Sequence, residues 1–143
     1  MAITQAMCTS FKQALLDGEM DFSSGTAQSY KIALYTSSAS LDAATTAYTA
    51  SGEVSGAGYT AGGNTLSITT NPTSTGTTAF LSFATTTWTT ATITARGALI
   101  YQAGGSTPAV AVLDFGSDKG SSAGDFQITF PTADATNAII RIA

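Results

Sequence analysis

The feature that most restricts this chain is a change in hydrophobic period between residues 18 and 30. Before it, apolar residues recur at spacings of three and four. After it, they come in short alternating or continuous runs separated by Gly, Ser, Asn and Asp. The first pattern marks a helix with one apolar stripe, and the second marks strands joined by turns. The runs are YKIALYT (30–36), TLSITT (65–70), AFLSFA (79–84), TATITA (90–95), ALIYQ (98–102), AVAVLDF (109–115), FQITF (126–130) and AIIRI (138–142). In the first, Ile32 and Leu34 face one way while Lys31, Ala33 and Tyr35 face the other; Phe126, Ile128 and Phe130 repeat that period of two. Between the runs at 98–102 and 109–115, Gly104-Gly105 supplies the positive φ that a tight hairpin needs. No stretch of ten to fifteen residues between the later runs has helical periodicity, which argues against parallel βαβ units. The prediction is one domain over 1–143, mainly β: an antiparallel β-sandwich of about eight strands over 30–143, preceded by one N-terminal α-helix over 3–18.

The helix rests on Ile3, Met7, Phe11 and Leu15, with Thr4 as the expected cap and Gly18 as the expected stop. The stripe needs a surface to cover, either its own sandwich or, as an exchanged arm, a neighbouring subunit. The segment 37–64 departs from the strand-and-turn texture. It is long, rich in Ala, Thr, Ser and Gly, and contains GEVSGAGYTAGG around Glu53, Val54 and Tyr59. Loops of that length in a compact domain are usually functional or mobile. Residues 65–94 are nearly half threonine, whose branched side chain suits strands and whose hydroxyl keeps a face polar without charge.

Composition narrows the chemistry. The 143 residues hold 5 Lys+Arg, 9 Asp+Glu and no histidine, with 43% apolar residues. The apolar share is ordinary, so a folded core is expected and disorder is not. A net charge of -4 cannot neutralise a row of phosphates, which disfavours nucleic acid and anionic membrane as partners. Without histidine, Ser-His-Asp and Cys-His catalysis are excluded, and the lone Cys8 allows neither an internal disulfide nor a cysteine-built zinc site. No apolar run reaches the 18 residues of a membrane span, and the N-terminus lacks the basic and apolar regions of a secretory signal. A protein made in the cytoplasm without cofactor is expected.

The remaining motifs have plain readings beside the chemical ones. Gly56-Ala57-Gly58 and Gly62-Gly63 lack the strand, helix and acidic residue of a dinucleotide loop and the Lys-Ser/Thr of a P-loop, so they read as turn glycines. Asp114-Phe115-Gly116 matches three letters of a kinase motif with no kinase around it. Asp114, Asp118 and Asp125 are clustered enough to consider for a hard cation, but their spacing is not that of an EF-hand. Glu19 and Asp21, or Asp118 and Asp125, are the carboxylate pairs a glycosidase would need, and also ordinary turn residues. Trp88, Tyr48, Tyr59 and Tyr101 would suit a carbohydrate-binding platform, or a core.

With so few charges, the sheet surfaces are expected to lack the lysines that discourage association, which suits a subunit meant to be covered by others. The strings FKQALLDG, YKIALYTSSASL, TTAYTASGEVSGAGYTAGGNTL, ARGALIY, AVAVLDFGSDK and FPTADATNAIIRIA, in this order over nearly the whole chain, resemble a family of small virion structural proteins of tailed bacteriophages. The resemblance implies a non-enzymatic, homo-oligomeric component of the virion with the major capsid protein or other virion proteins as partners. The expected role is a head decoration (cement) protein that binds the assembled capsid and stabilises it, with a tail or fibre component as the alternative. The expected interface residues, from texture alone, are Ile3, Met7, Phe11 and Leu15 on the helix and Glu53, Val54 and Tyr59 on the glycine-rich loop. A carbohydrate-binding module and a carboxylate-based hydrolase are the alternatives from other classes.

Overall fold

The apolar runs become strands where their alternation places them. The computed structural model describes residues 2–23, 25 and 28–143. In chain order these form β1 (Ala6–Met7), α1 (Thr9–Leu16), β2 (Ser29–Tyr35), β3 (Asn64–Leu66), β4 (Ile68–Thr75), β5 (Thr78–Phe83), β6 (Thr86–Ala103), β7 (Ala109–Ile128) and β8 (Ile140–Ile142). Two antiparallel sheets result, one of five strands in the order β1-β7-β6-β2-β3 and one of three in the order β4-β5-β8. The chain is thus mainly β, with a short helix ahead of a two-sheet sandwich. The runs at 90–95 and 98–102 are one strand, β6, and those at 109–115 and 126–130 are the two ends of β7. Their hairpin turns at Gly104 and Gly105, with φ +92° and +57°.

The helix is shorter than its stripe suggested. It starts at Thr9, and its N-cap is Cys8, which makes no side-chain capping bond, so Thr4 is not the cap. Ile3 and Met7 lie on extended chain. Ile3 forms a parallel bridge with Leu41, while Ala6 and Met7 pair with Val112 and Ala111 of β7. A spacing of four fits a helix, but the Thr4 N–H donates to the Leu41 carbonyl and the Cys8 N–H to that of Val110 in β7, and such tertiary pairing overrides a weak local preference. The other end matches the expectation. Gly18 has φ +72°, its N–H donates to the Leu15 carbonyl, and the Glu19 N–H donates to the Ala14 carbonyl, which is a Schellman stop.

The core is one contiguous cluster spanning both sheets and the helix. An aromatic chain ties the layers together: Phe11 meets Phe22 edge-on at 5.8 Å, Phe22 stacks on Tyr30 at 4.2 Å, and Phe83 lies 6.4 Å from Phe22 and 5.6 Å from Phe130. Such ring pairs add about 0.5–1.5 kcal/mol each beyond area burial. The accessible surface is 7009 Å², close to the about 6,800 Å² expected of a compact monomer of this mass. Within this chain, the described N-terminal residues Ile3 and Phe11 are buried in the protein's own core.

The long β6–β7 ribbon carries charge on its outer strand. Beyond its short pairing with β1, the outer strand β7 carries Asp114, Asp118, Lys119 and Asp125. It is also bulged: the two-residue step from Ala95 to Gly97 on β6 faces the five-residue step from Lys119 to Asp114 on β7. Gly116 and Ala123 take positive φ there. Charge and bulges both prevent a neighbouring strand from adding to such an edge.

Candidate functional site

The segment 36–63 is a built part of the sheet. Val54 donates its N–H to the Leu34 carbonyl, Glu53 bridges Tyr35, and Ala57 bridges Thr92. It therefore fills the place beside β6 where β2 stops, at the Tyr35–Gly97 pair. Glycine is needed for that approach. A Cβ on Gly56 would stand 2.5 Å from the Thr92 carbonyl oxygen, and one on Gly63 would stand 1.8 Å from that of Ile32. The closeness that these glycines permit is to the protein's own sheet.

Glu53 is the centre of the segment. Its Oε2 accepts the Tyr48 hydroxyl at 2.6 Å, and its Oε1 accepts the Tyr59 hydroxyl and the Gly62 N–H, both at 2.7 Å. The Tyr59 oxygen in turn accepts the Leu34 N–H at 2.9 Å. Around this knot, Tyr101 donates to the Gly62 carbonyl at 2.6 Å and Tyr35 to that of Thr49 at 2.7 Å. Tyr48 and Tyr101 stack at 4.9 Å. Burial, reinforced by the Glu53 carboxylate, pushes the Tyr48 phenol up to about 12. The phenols of Tyr35, Tyr59 and Tyr101 are raised too, again by burial first. Protonated phenols are donors, so the carboxylate is tied to three donors at once. That arrangement latches a loop and leaves little capacity for general-base work.

The predicted interface residues divide accordingly. Glu53, Val54 and Tyr59 come together, facing inward: Val54 is buried and Tyr59 packs on Trp88 at 5.9 Å. Ile3 and Phe11 are buried in the core, while Met7 and Leu15 are half-buried. Of the proposed sugar platform, Trp88 and Tyr101 are each 3% exposed, so their faces are spent on neighbouring rings. The three carboxylates considered for a cation are each engaged separately. Asp118 pairs with Arg96 at 2.8 Å, Asp114 accepts the Gly116 N–H, and Asp125 the Thr90 N–H. Among the described residues no three of His, Cys, Asp and Glu gather as a metal site would require. Cys8 is fully buried, and desolvation, with a smaller push from Asp42, raises its thiol to about 11; a thiol so raised is a poor nucleophile.

What sequence reasoning missed is a groove. Residues Ala79 and Leu81 on β5 and Ile140 and Ile142 on β8 share one face of the small sheet, as their register requires. Leu81 and Ile140 enter the core, but the sheet runs on past it, leaving Ala79 and Ile142 uncovered. Phe11, Leu15, Met20 and Phe22 form the opposite wall, and the space between is about 290 Å³. Leu16, next to the groove-lining Leu15, is 90% exposed, and Ile142 is 50% exposed. These are the exposed large apolar side chains among the described residues. In the sequence only the exposure of Leu16 was legible, since it falls outside the helical stripe. No family model, curated protein or solved structure matches this chain, so geometry and sequence alone bear on its role.

Proposed function

We propose that this chain is a non-enzymatic structural component of a tailed-bacteriophage particle, and specifically a head decoration protein that binds the assembled capsid and stabilises it. The observation that carries the reading is the contrast between a finished interior and one unfinished surface. The Glu53 knot and the aromatic rings are consumed in holding the fold, whereas an apolar groove lined in part by the exposed Ile142, with the exposed Leu16 next to its wall residue Leu15, is left open. Exposed apolar patches of this kind mark places to be covered. The resemblance of the sequence to small phage virion proteins supplies the assembly.

The mechanism is linkage. A protein that binds the closed shell and not its free subunits stabilises the shell by the free energy of that binding, and many copies on a lattice add their effects. The test is reconstitution. Purified protein added to expanded heads that lack it should appear at repeated lattice positions in cryo-electron microscopy maps and raise the temperature at which the heads release DNA. Heads that remain bare at saturating protein remove the proposal, and density confined to the tail replaces it with a tail component.

A further inference from the structure

The groove between α1 and the small sheet has one acidic lip. From Leu15 the chain turns through Asp17, Glu19 and Asp21, all three exposed, before Phe22 returns to the core. Asp21 lines the groove itself. Among the described residues the ion pair is Arg96–Asp118, so none of these three carboxylates has a cationic partner there. α1 has no basic residue in its last turn, and the negative end of its dipole points to the same lip. Apolar walls that include the exposed Ile142, the exposed Leu16 next to wall residue Leu15, and negative charge on Asp21 and its chain neighbours Asp17 and Glu19 are therefore found together.

We infer that this groove is a docking site for an apolar segment of a different protein, one that carries Lys or Arg next to its apolar side chains. The apolar part supplies affinity by covering Leu16 and Ile142 and filling the space. The basic part supplies orientation and rate of encounter by meeting the acidic lip. A second copy of this chain fits less well. A twofold contact sets a patch against itself, which would bring two triplets of carboxylates together on chains that each carry a net charge of -4. Charge complementarity thus selects an apolar and basic partner. The inference concerns the chemistry of the occupant and holds whether or not that occupant is a capsid subunit.

The test uses the full chain and a random twelve-residue peptide library. Selected peptides, synthesised and titrated into isotope-labelled protein, are expected to combine at least two large apolar residues with Lys or Arg. They should shift the amide signals of residues 15–23 and 79–81. Affinity should fall at least tenfold in Leu16→Asp, at least fivefold in the double variant Asp17→Lys with Glu19→Lys, and severalfold in high salt. Both variants alter exposed side chains, and lysines at a helix C-terminus favour the helix, so unchanged thermal melting would show that the fold is intact. Peptides without basic residues, peptides that map elsewhere, or affinity indifferent to both variants would overturn the inference. So would concentration-dependent dimerisation abolished by Leu16→Asp, which would make the occupant a second copy.

Discussion

Two polar, glycine- and threonine-rich stretches of this chain look alike as text and differ in every physical respect. The segment 36–63 is fastened to β2 and β6 by backbone bonds and to itself through Glu53. The tip of the β4–β5 hairpin, residues 71–77, is exposed throughout. Glycine makes the contrast concrete. Gly63 and Gly76 both have positive φ, +77° and +62°, but a side chain on Gly63 would strike Ile32, while one on Gly76 would meet nothing within 4 Å. The same residue is a packing requirement in one place and only a conformational one in the other.

The sharpest way to break this comparison is Gly63→Ala. The clash with the Ile32 carbonyl should cost more than about 4 kcal/mol or prevent folding, because both strain and displaced backbone contribute. Denaturant midpoints check it, and a loss below about 1 kcal/mol would mean that the segment yields easily. Glu53→Ala comes next, at about 2–4 kcal/mol, since two phenols and the Gly62 N–H lose their acceptor. Glu53→Gln, which keeps an acceptor, should cost less than half as much. The phenols also give the segment a pH dependence. Tyr48 is at about 12 in the folded protein against about 10 when unfolded. The folded state therefore holds protons longer, and stability should be intact below pH ~10 and decline as pH rises toward ~12. Equilibrium unfolding at successive pH values should show this, and Tyr48→Phe should flatten the decline. At the hairpin tip, Gly76→Ala should cost only about 1–2 kcal/mol for its left-handed backbone. Thr73→Ala, on an exposed strand position, should stay within about 0.5 kcal/mol.

The sheet was legible in the sequence wherever a run both alternated and ended at a turn former. YKIALYT and the Gly104-Gly105 hairpin are such cases, because side-chain period and turn chemistry are local properties. The N-terminal helix was legible only in its second half. Phe11, Leu15 and Gly18 sit as a helix demands, but Ile3 and Met7 are held extended by Leu41 and β7, partners about 40 and 100 residues away that no local pattern announces. The importance of 36–63 was visible from its length and glycines, and its direction was not. Glu53, Val54 and Tyr59 point inward because their partners, Leu34 and Gly62, come near only once the sheet exists. The groove was hidden for the same reason, since one wall is made by the pairing of β5 with β8 and the other by Phe11, Leu15, Met20 and Phe22, far away in sequence.

The β6–β7 ribbon also sets an order of events. Its strands are 18 and 20 residues long and joined by a short turn, so its contacts close small loops at low entropic cost and can zip outward from Gly104. The bond from the Asp114 N–H to the Gln5 side chain spans 109 residues and must wait for the rest of the chain. Substitutions within the ribbon, such as Ile100→Val, should therefore slow refolding, whereas those at the Glu53 latch should chiefly speed unfolding. The latch would thus govern how long the folded protein lasts, and the ribbon how quickly it is made.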